Sequence, residues 1–247
     1  AKDVEFYTLQ YRKLSSKSKD ISVPHEILSS FGYRHTIVEC RDMEDDAFMT
    51  IYGNNSTMSH TDDWGNIALG ILTNYPSGKM AVKGNCAEIG QCTYYKNGIY
   101  PKHVSIENFI NVYEWERFDF FLEELHKWLD TISDKAINCG YPELDLFYWE
   151  HRIGSWQAQS QLEWDIAQEV FTPFNNRELI DIMLSVDTKF RCKPDYSFFN
   201  SAIEKGWPEL AMFPINPMPI SQKFRLSLKN LVLRLGVYRA LKKIIRG

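Results

Sequence analysis

No glycine occurs before Gly32, no Cys-x-x-Cys spacing occurs anywhere, and no two histidines form a His-x-x-x-His pair. Each absence closes a class of site. A tight phosphate-cradling loop needs residues free of Cβ constraint, so none precedes Gly32. Cys40, Cys86, Cys92, Cys139 and Cys192 are scattered and odd in number. They make neither a disulfide framework nor a zinc signature, and they suit a reducing cytoplasm. His25, His35, His60, His103, His126 and His151 are spread out, which argues against a helix-borne zinc hydrolase. There is no signal peptide and no apolar run long enough to span a bilayer. The formal net charge of −4 speaks against a surface that coats nucleic acid. A cytoplasmic protein without a nucleic-acid partner is therefore expected. The chain opens Ala1-Lys2-Asp3 without an initiator Met, as a fragment or a processed product would.

What is present is a chain of 247 residues, enough to bury a sizeable core as one large domain or two small ones. Aromatic residues, at 14%, favour a densely packed core or aromatic-lined grooves. Val4 to Tyr11 is β-branched and aromatic and reads as a strand. A helix follows, capped by Asp20 or Ser22, with Pro24 in its first turn and Gly32 ending it. Arg34 to Cys40 reads as a second strand, which makes a βαβ unit with parallel strands. Met43 to Ile51 is predicted helical, Gly53 to Ser59 a polar loop, and Thr61 to Tyr75 helical again. Pro76-Ser77-Gly78 turns the chain into the Met80-Ala81-Val82 strand. After about Gly98 no clear alternating strand returns. Helices are predicted over Glu116 to Cys139, Leu144 to Arg152 and Trp156 to Val170, and another is capped by Asn175 or Asn176. Ile220 to Gly247 carries apolar residues at helical spacing and basic residues with no acid. Such a basic amphipathic helix packs on its own domain, docks a partner, or lies on an anionic membrane.

Met80 to Tyr95 is the stretch around which the chain is organised. An apolar strand breaks at Gly84-Asn85, an acid, Glu88, follows within one turn, and Tyr94-Tyr95 comes after. Ligands of open α/β sheets bind beyond the carboxyl ends of strands. A glycine there admits close backbone approach, and a carboxylate holds a metal or a cation. The bland alternative is a strand-to-helix turn with a solvated acid. Elsewhere the bland readings are favoured. Asp62-Asp63 reads as a cap cluster. Glu143, Asp145 and Glu150 read as solvated helix residues, and Trp149, Trp156 and Trp164 as core. Arg152 is expected to pair with a carboxylate elsewhere.

These residues carry a resemblance. Val4 to Tyr11, Asp20 and Gly32-Tyr33-Arg34-His35 resemble the second strand, the following helix and the third strand of the asparagine synthase-type ATP pyrophosphatases, members of the HUP superfamily. Val82-Lys83-Gly84-Asn85-Cys86-Ala87-Glu88 resembles that family's nucleotide-side turn. Glu150-His151-Arg152, Trp156 and Pro173-Phe174-Asn175-Asn176-Arg177 resemble its helical half. The likeness is greatest to divergent members associated with bacterial surface polysaccharides. It implies an ATP- and Mg²⁺-dependent ligase or amidotransferase that adenylates a small-molecule substrate, a sugar or a sugar-acid. By that resemblance Tyr7, Thr8 and Leu9 line the adenine and ribose, and Gly84 and Asn85 contact the nucleotide. Glu88 faces the metal-bound pyrophosphate or substrate, and Arg152 faces the cleft. The implied fold is α/β. A partial HUP-like parallel sheet with flanking helices spans residues 1–98, a helical part spans 99–219, and the basic helix spans 220–247.

The departures are as definite. The family's Ser-Gly-Gly-x-Asp-Ser phosphate loop is absent, Ala87 replaces the aspartate of an Asp-Glu pair, and Lys83 stands where the family has a small residue. No glutaminase domain and no N-terminal Cys nucleophile are present. As written, the chain alone is expected not to hydrolyse ATP to AMP. The second reading is a non-catalytic relative that binds a nucleotide or a partner.

Overall fold

A computed structural model describes residues 4–41, 45–55, 57, 61–75, 78–95, 99–113 and 116–216. The basic stretch Ile220 to Gly247 lies outside the described residues. The chain is a mixed α/β protein, mostly helical, and it divides into two compact units. The first comprises residues 1–84 and 152–173, and the second 85–151 and 174–247. Among the described residues, no helix is long and apolar enough to cross a membrane.

The first unit begins with a parallel βαβ unit: β1 (Phe6–Gln10), α1 (Lys19–Ser30) and β2 (His35–Glu39). Phe6 pairs with His35 and Gln10 with Glu39, so the two strands are in full register. Helix α1 starts earlier than its acidic residue suggests. Ser18 is its N-cap, and Pro24 lies inside the helix rather than in the first turn. Its end is as expected. Gly32 takes φ +72°, its N–H donates to the Ser29 carbonyl, and the Tyr33 N–H donates to Leu28. That is a Schellman cap, which a residue without Cβ adopts without strain.

Helices α2 (Asp46–Asn55) and α3 (Thr61–Asn74) follow. Gly53 to Asn55 belongs to α2, not to the polar loop predicted there, because the helix continues past its last buried residue, Tyr52. The core of this unit gathers Val38 and Cys40 from β2, Phe48 and Tyr52 from α2, Trp64, Ile67 and Ile71 from α3, and Trp164. Trp156 and Trp164 both meet the Trp64 ring, with centroids 5.6 and 5.5 Å away, so these tryptophans form core as the spacing predicts.

Two further strands complete the unit: β3 (Ala81–Val82) and β4 (Val170–Phe171), paired in parallel. The sequence gives no warning of β4. It is two residues long, too short for an alternating run to show. The helix predicted over Trp156 to Val170 accordingly stops at Trp164. The described strands form two separate two-stranded parallel sheets.

In the second unit, α4 (Ile106–Tyr113), α5 (Asp119–Cys139) and α6 (Glu143–Phe147) pack through aromatic side chains. The Phe147 ring lies 4.5 Å from Phe109 and 5.0 Å from Trp128. From α6 the chain runs through a π-helical segment, Tyr148–Gln157, into α7 (Ala158–Trp164), which belongs to the first unit. Helices α8 (Arg177–Ser185), α9 (Thr188–Arg191) and α10 (Ser197–Gly206) return to the second unit. Asn176 caps α8 by accepting the Leu179 N–H at 3.1 Å, as the sequence predicts.

Candidate functional site

Strand β3 sets the site. Side chains alternate across a strand, so Ala81 and Lys83 share one face and Val82 takes the other. Ala81 is buried, whereas Val82 is 70% exposed. The Lys83 amine sits 4.3 Å above the Trp164 ring and 3.3 Å from Gln161 Oε1. Burial pushes its pKa down from the ordinary lysine value to about 8, against an opposing pull from Asp165. In the sequence Lys83 stands out only as a departure from the small residue of the resembled turn. Nothing in the pattern marks a lysine as buried, because most lysines are exposed.

Gly84 is the last residue of the first unit and Asn85 the first of the second. A Cβ placed on Gly84 would meet nothing within 4 Å, so its backbone borders open space. Beyond it lies a short 3₁₀ turn, Ala87–Gln91, that carries Glu88. The residues that bracket the turn, Cys86 and Cys92, hold φ of +74° and +52°, a left-handed conformation costly for a side chain other than glycine.

Packing around the turn explains why it holds. A Cβ on Gly90 would be tight, meeting Phe199 Cζ at 3.1 Å and Met183 Cβ at 3.2 Å. Arg191 is fully buried and directs Nη1 toward the Gly90 carbonyl, 3.4 Å away. Its Nη2 donates to Asp145 at 2.7 Å, and the Tyr95 hydroxyl donates to the same carboxylate at 2.8 Å. Asp145 is therefore not the solvated acid that its helix position suggests. Burial lifts its carboxyl above the usual carboxylate range, against the opposing pull of Arg191 and Tyr95. Sequence reasoning missed this anchor because its members lie far apart in the chain, and Arg191 carries no motif.

The other predicted residues are committed as follows. Tyr7 donates its hydroxyl to Gln168 at 2.9 Å, and burial raises its pKa to about 12. Thr8 shares a 2.9 Å hydrogen bond with His35 Nε2, and Leu9 packs against the core. Arg152 places its guanidinium 3.5 Å over the Trp156 ring, which is its contact among the described residues in place of the expected carboxylate. Glu150 accepts from Trp128 Nε1 at 2.7 Å. Tyr7, Thr8, Leu9, Gly84 and Arg152 thus fall in the first unit, and Asn85 and Glu88 in the second.

Each unit holds a cleft. The first, of about 800 Å³, lies along β1 and β3. The second, of about 500 Å³, is bordered by Tyr94, Tyr95, Asn108, Asn111 and Lys193. Among the described residues, no three His, Cys, Asp or Glu side chains gather as a metal-holding group. Of the Glu88 carboxylate, Oε2 is buried from solvent. No protein-family model, curated protein or solved structure gave a match to this chain.

Proposed function

We propose that the chain is an asparagine synthase-like, ATP-dependent ligase or amidotransferase domain, with a partial HUP-like sheet, acting on a sugar or sugar-acid in surface-polysaccharide assembly. The observation that carries this reading is the course of β3. A parallel strand, in a unit that also holds a parallel βαβ, runs at its carboxyl end into an open Gly84 and then into the strained turn that bears Glu88. Parallel sheets place their ligands at that end. Backbone strain held in place by surrounding packing is characteristic of such sites.

In this reading Gly84 and Asn85 offer backbone to the nucleotide, and Glu88 holds Mg²⁺ together with the phosphates. The metal, when bound, neutralises charge on the pyrophosphate. The buried amine of Lys83, beside Gly84, adds a positive charge at the same strand end. Tyr7 and Thr8 are already bonded to Gln168 and His35, so β1 contributes backbone more than side chain. Arg152 over Trp156 forms an aromatic-cation platform on the first unit.

Calorimetry with ATP and Mg²⁺ tests the reading. Binding is expected, weakened about ten-fold or more in Glu88→Ala as one metal ligand is lost. Absence of ATP binding, or binding indifferent to Glu88, would favour the second reading, a non-catalytic relative that binds a nucleotide or a partner. That reading draws on the missing phosphate loop and on Ala87.

A further inference from the structure

Lys83 is held at both ends of its side chain. At the backbone its N–H donates to the Phe171 carbonyl of β4 at 3.0 Å. At the tip the amine lies 4.3 Å from the centre of the Trp164 ring and 3.3 Å from Gln161 Oε1. A lysine ordinarily keeps a flexible stem and a hydrated tip. Gln161, Trp164 and Asp165 stand at i, i+3 and i+4 at the end of α7, where Asp165 keeps helical dihedrals. The three therefore share one helix face, the face that meets Lys83. Every member of the cluster belongs to the first unit.

The groups gathered there are chemically distinct. Burial leaves part of the Lys83 amine neutral near pH 7, since its pKa falls to about 8. Gln161 Oε1 is taken by the amine, but its Nε2 is buried without a hydrogen-bond partner among the described residues. Burial and the Glu169 charge lift the Asp165 carboxyl above the usual carboxylate range, against the pull of Lys83, while the residue stays exposed. Gly84, next in the chain, borders open space, with nothing within 4 Å of a Cβ built on it. A nucleophile, an unused donor, a proton carrier and room for a small molecule therefore meet at one strand end.

The common fates of a neutral lysine amine differ in the charge they leave. Acylation leaves a neutral amide, carbon dioxide a negative carbamate, and an aldehyde a positive iminium. Trp164 presents the face of its ring, which attracts a cation and repels an anion, and Asp165 adds a carboxylate. We propose that Lys83 is an imine-forming residue that takes a small polar aldehyde beside Gly84, with Gln161 Nε2 donating to the aldehyde oxygen and Asp165 moving the proton. The amine nitrogen bonds to the carbonyl carbon and its proton passes to the oxygen, which gives a carbinolamine. Asp165 then donates its proton to that hydroxyl, which leaves as water while the C=N bond forms. The iminium stays over the Trp164 ring and faces the Asp165 carboxylate. The proposal does not rest on the ATP reading, and its test contains no nucleotide.

The probe is glycolaldehyde, the simplest hydroxyaldehyde, given to the full chain with sodium cyanoborohydride at about pH 7. Hydride from the reductant turns each iminium into a stable secondary amine, and peptide mass mapping reads the yield at each lysine. Lys83 is expected to be labelled about ten-fold or more faster than the exposed Lys13, Lys17 and Lys205, because burial leaves part of its amine neutral. Asp165→Asn separates the site from a merely desolvated amine. Losing that carboxylate removes a pull that raises the lysine pKa, so an amine acting alone would be labelled faster. The proposal expects the opposite, labelling of Lys83 slowed about ten-fold or more as the proton carrier is lost. The melting temperature is expected to hold, because Asp165 is exposed. The proposal is overturned if Lys83 is labelled no faster than the exposed lysines, or if Asp165→Asn leaves its rate unchanged or raises it.

Discussion

Lys83 is a charge placed where charge is costly. Its amine is held over Trp164 and beside Gln161, and its pKa falls to about 8 from an unfolded value of 10.5. Between those values the unfolded chain keeps a proton that the folded chain has lost. Folding stability contributed by this group therefore rises with pH across that window, by at most about 1.4 kcal/mol per unit. Tyr7 and Cys40 act in the opposite sense at higher pH, because burial raises both to about 12 and stability falls as their unfolded counterparts ionise. The difference between wild type and Lys83→Met cancels that background. Urea denaturation between about pH 7.5 and 9.5 is expected to show the wild type gaining on Lys83→Met as pH increases. A difference that stays flat would mean that the amine is solvated.

At the scale of elements, the turn Ala87–Gln91 depends on what lies beneath it. A Cβ on Gly90 would press on Met183 of α8 and Phe199 of α10 at 3.1 to 3.2 Å, so the neighbours would have to give. Gly90→Ala is expected to destabilise the protein by about 1–3 kcal/mol, read as a lower urea midpoint. Under the proposed ATP reading it is also expected to displace Glu88 and so weaken ATP·Mg²⁺ beyond the stability loss. An unchanged midpoint would show that Met183 yields, and with it the claim that packing holds the turn. Much at this scale was legible in the sequence. The βαβ unit, the Schellman glycine and the Asn176 cap all follow from local spacing, because each depends on residues near one another in the chain. Glu88 and Gly84 were legible as an acid and a glycine at a strand end. Asp145, Arg191 and Tyr95 were not, since a buried ion pair is defined by distant partners and its acid looks like any acid on a helix. Strand β4 was hidden for the same reason: two residues become a strand only because Ala81 and Val82 arrive beside them.

Over the whole molecule, sequence order and compactness part company. The first unit takes residues 152–173 from the far side of 67 intervening residues, 85–151, that belong to the second. What that distant segment brings is not peripheral. Trp164 enters the core beside Trp64, the buried Glu163 accepts from the Tyr52 hydroxyl at 2.6 Å, Gln168 accepts from Tyr7, and β4 supplies the only described partner of β3. A fragment ending at Gly98 keeps β1, α1, β2, α2 and α3 but leaves Tyr52 without its carboxylate, Lys83 without its aromatic ring, and β3 unpaired among the described strands. A boundary drawn where the α/β character of the sequence fades therefore cuts through a core. Residues 1–98 expressed alone are expected to give a poorly dispersed amide spectrum and a broad, non-cooperative urea transition, whereas residues 1–173 retain both segments of the unit and are expected to unfold more sharply. Cooperative unfolding of 1–98 with dispersed resonances would mean that the βαβ unit and its two helices suffice, and that the returning segment only decorates a core already formed. The contacts argue otherwise, because a buried aromatic cluster of the unit is shared between its two pieces of chain, and burial of such rings dominates the energetics of a small core.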